Sequence, residues 1–399
     1  MKTAGLKILH VIPSVDPRQG GPSTVMRTLT RELARAGLEV HVATTYGNKR
    51  EGSNTSKSQF SSKEEITYRY FSCQTRFYSF SWAMNQWLAR HVKEYSLVHI
   101  HFIFSYPAAA AAFWSHRYRI PYIICPHGIL NRWGLENRRS WLKKISLRWI
   151  ESRILARAAA VHYATKLERQ EAVQLGAVGK AVIIPHALDK SFMDEHPSGG
   201  SLCTPSAKWV NGKVFLFLSR FHPKKGMDLL LSAFARVKYR FPSSVLVLAG
   251  EGESNFMSHL QREARRLGID PEVVWVGFLE GEEKRRAFTD ANVFILPSYS
   301  ENFGVAILEA MACGVPVIIS DQVGIHPDVS QAEAGIVVKT NVDSLADAMT
   351  QLLEHPEMAK KMGENGRKLV EEKFTVEKVI PQVIALYEKV LALNGSRAS

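Results

Sequence analysis

What most restricts this chain is a repeated alternation of short, continuously apolar runs with longer amphipathic stretches. In the first half, Leu6–Ile12, Glu39–Thr44, Leu97–His101, Tyr122–Cys125, Ala159–Tyr163 and Val182–Pro185 read as strands. Thr24–Ala36, between the first two, has helical spacing, and Gly37 is its stop signal. Strands with so little polar interruption must be covered on both faces, which predicts parallel sheets flanked by helices.

The alternation lapses between Asp189 and Val210, where Pro197, Gly199, Gly200, Pro205 and several serines predict a linker. It resumes with Val214–Ser219, Ser244–Ala249, Val273–Val276, Val293–Pro297, Val315–Ser320 and Gly335–Val338. From Val342 to Leu393 the pattern is helical, with breaks expected near Phe374–Thr375 and at Pro381. A length of 399 residues exceeds one ordinary core. The prediction is an α/β protein of two Rossmann-like, doubly wound domains facing each other across a cleft. Their spans are residues 1–190 and 211–375, joined by a linker at 191–210, with helices at 376–399 returning to the N-terminal domain. Ligands of such sheets bind beyond the C-terminal ends of the strands, so the chemistry is sought in the loops there.

Composition narrows the class. No apolar run approaches the ~20 residues of a membrane span, and the N-terminus lacks the pattern of a signal peptide. Cys73, Cys125, Cys203 and Cys313 are scattered without pairing, which predicts reduced thiols and a cytoplasmic chain. The net charge of +13 is uneven: up to Lys190 there are 28 Lys and Arg against 12 Asp and Glu. A partner that touches mainly the first half is implied.

Two loops carry the chemistry. Strand Val293–Pro297 runs into Ser-Tyr-Ser-Glu301-Asn-Phe303-Gly304-Val305, where a helix bearing Glu309 starts. Backbone N–H groups of Phe303, Gly304 and Val305 at a helix start suit an anion such as a diphosphate. Glu301 and Glu309 can each accept paired hydroxyls of a sugar. As bare residues they read sooner as a charge near a helix start and a solvated helix position; the flanking loop, glycine and apolar helix turn the reading toward a site. Strand Val214–Ser219 delivers Arg220, and Lys225-Gly226 follows before a helix that Asp228 would cap. An Arg fork and a Lys charge in one strand-to-helix loop suit phosphate oxygens.

These residues, with Ala249-Gly250-Glu-Gly252, resemble glycosyltransferase family 4 over nearly the whole chain, most strongly from Val214 to Ser320. The departure is Ser219, where the family often has glycine. The family comprises retaining enzymes of the GT-B fold, many in bacterial polysaccharide assembly. The resemblance implies that Glu309 binds the donor ribose and Glu301 the donor sugar, with Phe303, Gly304 and Val305 offering amides. It implies that Arg220 and Lys225 neutralise the leaving diphosphate, and that Gly250, Phe278 and Leu279 line the donor site. In the first half, Gly20-Gly21 permits close backbone approach to the donor. His127, in Pro126-His-Gly128, is implied to touch the transferred sugar. The donor expected is UDP-glucose or UDP-N-acetylglucosamine, the acceptor a saccharide or lipid-linked precursor, and no cofactor or metal is expected.

From Asn131 to Arg157, eight basic residues meet two acids and interleaved Trp and Ile. Arg132, Trp133, Arg138, Arg139, Lys143 and Lys144 are candidates for an acceptor or an anionic membrane surface, against a reading as a solvated helix face. His99-Ile-His101 puts two imidazoles on one strand face, but no carboxylate partner is near in sequence and no Asp-x-Asp motif occurs, so a metal is not expected. Nucleic acid lacks a supporting motif, and Gly250-Glu-Gly252 lacks the third glycine of a dinucleotide site. The alternatives are a nucleotide-sugar 2-epimerase on the same fold and a non-catalytic nucleotide-sugar-binding protein.

Overall fold

The computed structural model describes residues 5–16, 20–46, 59–63, 66–75, 77–131, 133, 140–177, 179–193 and 212–395. Most of the expected linker, residues 194–211, lies outside the described residues. Two compact units form: Met1–Ala187 with Glu377–Ser399, and Leu188–Val376.

The N-terminal unit is built on eight strands. These are β1 (Lys7–Ile12), β2 (Glu39–Tyr46), β3 (Gln59–Lys63), β4 (Ile66–Ser72), β5 (Leu97–His101), β6 (Tyr122–Cys125), β7 (Ala160–Tyr163) and β8 (Ala181–Ile183). Their order is β3-β4-β2-β1-β5-β6-β7-β8, parallel except where β3 runs antiparallel to β4. The first two parallel neighbours follow from the runs read in sequence; β3 and β4 do not. Ile66-Thr-Tyr-Arg-Tyr-Phe-Ser buries only Ile66 and Phe71 fully, so this near-edge strand lacks the apolar continuity that marks the central ones.

The C-terminal unit carries β9 (Lys213–Leu218), β10 (Ser244–Ala249), β11 (Val273–Gly277), β12 (Val293–Leu296), β13 (Val317–Ser320) and β14 (Gly335–Val338). The order is β11-β10-β9-β12-β13-β14, all parallel. Phe215, Phe217 and Phe294 are fully buried in its centre, each worth about 1.5–3 kcal/mol of transfer out of water.

Both units are therefore doubly wound, Rossmann-like sheets. The order in which strands are added reverses between β1 and β5 in one and between β9 and β12 in the other. At such a reversal the two following loops diverge and leave a crevice at the strand ends.

The terminal helices differ from expectation. They span Val342–Glu354, Pro356–Lys373 and Val376–Gly395. The break at Phe374–Thr375 is present, a second falls at His355, and Pro381 does not end its helix. Pro381 costs one backbone hydrogen bond, offset by burial of Val379, Ile380, Val383, Leu386, Tyr387 and Val390 on the same helix.

Candidate functional site

In the C-terminal unit, β9 and β12 are hydrogen-bonded neighbours at the reversal, so the loops after them start side by side before they part. The Tyr299 N–H donates to the Lys224 carbonyl at 2.8 Å, and the Tyr299 hydroxyl donates to Asp228 Oδ2 at 2.7 Å. On the far side, the Glu301 N–H donates to the Gln322 carbonyl at 3.0 Å, and Gly324 N–H to the Glu301 carbonyl at 2.8 Å. Glu301 is thus clamped by backbone on both sides. Gly226 is required here: its φ is +69°, and a β-carbon would strike the Pro297 carbonyl.

Asp228 is not the cap expected for the helix Met227–Arg240. The N-cap is Gly226, without a side-chain bond, and Asp228 lies inside the first turn, held by Tyr299. Lys225, nearly buried, ion-pairs with Glu301 Oε2. The Phe303 N–H, expected to be free for a ligand, donates to the Glu301 carboxylate. Burial pushes the Glu301 carboxyl up, but Lys225, Lys224 and these hydrogen bonds outweigh it and hold it at about 2. Lys224, which the sequence reading passed over, is brought down to about 8, chiefly by burial. Arg220 stands exposed just beyond β9.

Gly304 caps the helix Val305–Ala312 in a left-handed conformation, φ +81°. Ile307, Leu308, Ala310, Met311 and Ala312 sink that helix into the unit, and Glu309 goes in with them, 1% exposed. A buried carboxylate needs a partner. Lys284, from the helix Gly281–Thr289, donates to Glu309 Oε1 at 2.5 Å. Glu309 Oε2 is buried with no hydrogen-bond partner among the described residues. Lys284 was invisible to the motif reading because its spacing from Glu309 belongs to no local pattern; only helix packing joins them.

Gly250 follows β10 and serves packing: a β-carbon there would run into the Ser219 carbonyl, and its N–H donates to the Gly277 carbonyl at 2.6 Å. Phe278 and Leu279, half-buried, follow β11 on the same edge of strand ends.

In the N-terminal unit, Gly20 has φ +102° with open space around its α-carbon, and the helix Gly21–Arg35 begins beside it. His127, after β6, is buried and adopts φ +55°, a strained conformation for a non-glycine residue. The adjoining Gly128 N–H donates to Glu168 Oε1 at 2.6 Å, and the Ala164 N–H donates to Glu168 Oε2 at 2.7 Å. A buried carboxylate thus ties the His127 turn to the end of β7. Of the basic stretch, Arg132, Arg138 and Arg139 lie outside the described residues. Trp133 and Lys143 are half-buried and Lys144 is exposed. Trp141, Ile145, Trp149 and Ile150 are 45–63% exposed, alternating with Lys144, Arg148 and Arg153 on the outer side.

Two Rossmann-like units, the second with cationic groups and buried carboxylates at its reversal point, define the GT-B class. Residues 205–369 match the family model "Glycosyl transferases group 1", and residues 20–187 match "Glycosyl transferase 4-like domain". By these two domains the chain is of the GT-B glycosyltransferase 4/1 type. It is 26% identical to the uncharacterized glycosyltransferase YqgM of Bacillus subtilis over 75% of this chain and 79% of that one. It is 35% identical to the GDP-mannose-dependent alpha-(1-6)-phosphatidylinositol monomannoside mannosyltransferase of Mycolicibacterium smegmatis, over 39% of this chain and 42% of that one. Over the other curated relatives compared, the chain spans between 37% and 56% of their length. Anabaena HepE, solved in complex with UDP and glucose, superposes with a TM-score of 0.79 at 19% identity, over 96% of this chain and 100% of that one. No helix among the described residues is long and apolar enough to cross a membrane.

Proposed function

We propose that the protein transfers a hexose, with retention of anomeric configuration, from a nucleotide-diphosphate sugar to a saccharide or lipid-linked acceptor. The observation that carries this reading is Glu309: a buried carboxylate with one oxygen held by Lys284 and the other lacking a donor among the described residues. A ribose hydroxyl supplies the missing hydrogen bond. Lys225 exchanges Glu301 for a phosphate oxygen, which releases the Glu301 carboxylate to the hydroxyls of the sugar. Arg220, Lys225 and the amides at Gly304 and Val305 then stabilise the departing diphosphate, so the charge developing in the transition state is met by groups already in place. His127 touches the transferred sugar. The leaving phosphate takes the acceptor proton on the same face, which accounts for retention without a protein nucleophile.

The donor is UDP-glucose or UDP-N-acetylglucosamine, a choice supported by the UDP and glucose held by HepE; the mannosyltransferase relative makes GDP-mannose the competing donor. The acceptor is a polysaccharide precursor. The exposed Trp and basic residues of 141–153 bring the chain to an anionic membrane surface on the cytoplasmic side.

Thermal-shift screening of nucleotide sugars tests the donor, since the one that binds stabilises the folded state. Product configuration by NMR tests retention. An epimer formed from donor alone would replace transfer by 2-epimerisation, and binding without turnover would leave a sensor.

A further inference from the structure

Among the described residues of the N-terminal unit seven histidines are buried: His10, His41, His99, His101, His127, His162 and His186. Three are joined in a line. His10 Nδ1 lies 3.0 Å from His101 Nε2, and His101 Nδ1 lies 2.9 Å from His127 Nε2. Burial holds His10 and His127 at about 3 and His99 and His101 well below the usual imidazole range. Each neutral ring therefore carries one proton, and each link needs one donor and one acceptor. The whole line must point one way or the other.

Tyr387, buried on the helix Val376–Gly395, decides which. Its hydroxyl is 2.7 Å from His99 Nδ1. If His99 donated there, both the Tyr387 proton and His99 Nε2 would be left without partners. Donation by Tyr387 leaves only His99 Nε2–H, so it is preferred. His10, His99 and His101 each place a ring nitrogen within 4.8 Å of the other two, and the Nε2 atoms of His10 and His99 both lack hydrogen-bond partners among the described residues. With the His10 and His99 rings 5.2 Å apart, the line that leaves His10 Nε2 a bare acceptor avoids a second unpartnered N–H near that of His99. His10 then carries its proton on Nδ1 and donates to His101. His101 does the same toward His127, whose remaining Nδ1 is unpartnered in the structure.

We propose that Tyr387, His99, His10 and His101 fix the proton of His127 on Nδ1, so that His127 presents a hydrogen-bond donor and His10 and His101 are its positioning residues. A donor there suits a sugar oxygen; this part rests on the proposed function. Bound metal is the competing use of the cluster. Neither metal-spaced group, His10–His99–His101 or His101–Cys125–His127, contains a carboxylate, and burial pushes the Cys125 thiol well up, so a buried dication would find little countercharge.

The test is long-range 1H–15N correlation on histidine-labelled full-length protein, with resonances assigned by single substitutions. Nδ1–H at His10, His101 and His127 with Nε2–H at His99 is the expected result. Nε2–H at His127, or one zinc ion per chain found by elemental analysis with loss of these N–H signals, overturns it. In transfer assays His101→Leu should lower kcat/KM for the donor about tenfold, whereas His101→Asn, which keeps a donor toward His127, stays within about threefold. Equal loss in both variants at unchanged folding would reduce His101 to packing. If the wild type neither binds nor uses nucleotide sugars, the proposed function fails, while the tautomers still decide the relay.

Discussion

Lys284 and Glu309, one on each of two neighbouring helices, form an ion pair of 2.5 Å that leaves the second carboxylate oxygen without a donor among the described residues. The pair is nearly enclosed: Glu309 is 2% and Lys284 19% exposed at the side chain. Breaking such a pair from one side strands a buried charge. Lys284→Met should therefore destabilise the fold by about 3 kcal/mol, read as a shift in urea midpoint at unchanged m-value.

Glu309→Ala should weaken nucleotide binding by roughly tenfold to a hundredfold, the worth of a hydrogen bond to a charged group. Calorimetry with UDP and GDP measures it. Unchanged affinity for both would remove Glu309 from the donor site.

The pairing of Glu301 with Lys225 links stability to acid. A carboxyl held at about 2 in the folded state, against 4.5 ordinarily, binds fewer protons folded than unfolded between those values. Its stabilisation is complete above pH 4.5 and lost as pH falls toward 2, about 3 kcal/mol at most. Denaturation midpoints from pH 5 to 2.5 should fall more steeply in the wild type than in Glu301→Gln.

Lys224 works in the opposite limb. Brought down to about 8 by burial, it loses its charge above that pH, and affinity for an anionic donor should decline as pH rises through 8. Lys224→Met should be weaker at pH 7 and lack this decline. A profile unaltered by the substitution would dissociate Lys224 from the diphosphate.

Gly226 tests the loop geometry. Alanine there combines a left-handed φ of +69° with a clash on the Pro297 carbonyl, which predicts a loss of roughly 2 kcal/mol or more. A Tm within a degree of wild type would show that the loop yields.

The central strands of both sheets were legible because β1, β5, β9 and β12 are buried on both faces and must be apolar throughout. The near-edge strand β4 was not, since its less buried face admits Thr, Tyr and Arg. The helix at Pro381 misled for a related reason: local chemistry forbids what tertiary burial of Ile380, Val383 and Tyr387 enforces. Arg220, Lys225, Glu301 and Glu309 were singled out as candidates by strand-end position and helix-start spacing. Their partners did not.

Sequence alone determined the two doubly wound units and the loops that carry the charged groups, because strand continuity and strand-to-helix punctuation are local properties. Which groups meet was decided by tertiary structure. Lys284 reaches Glu309 and Lys225 reaches Glu301 across 25 and 76 residues, and Tyr387 reaches His99 across 288. The physical reason is that a buried charge or imidazole must find its partner wherever packing brings one, and packing is blind to distance along the chain.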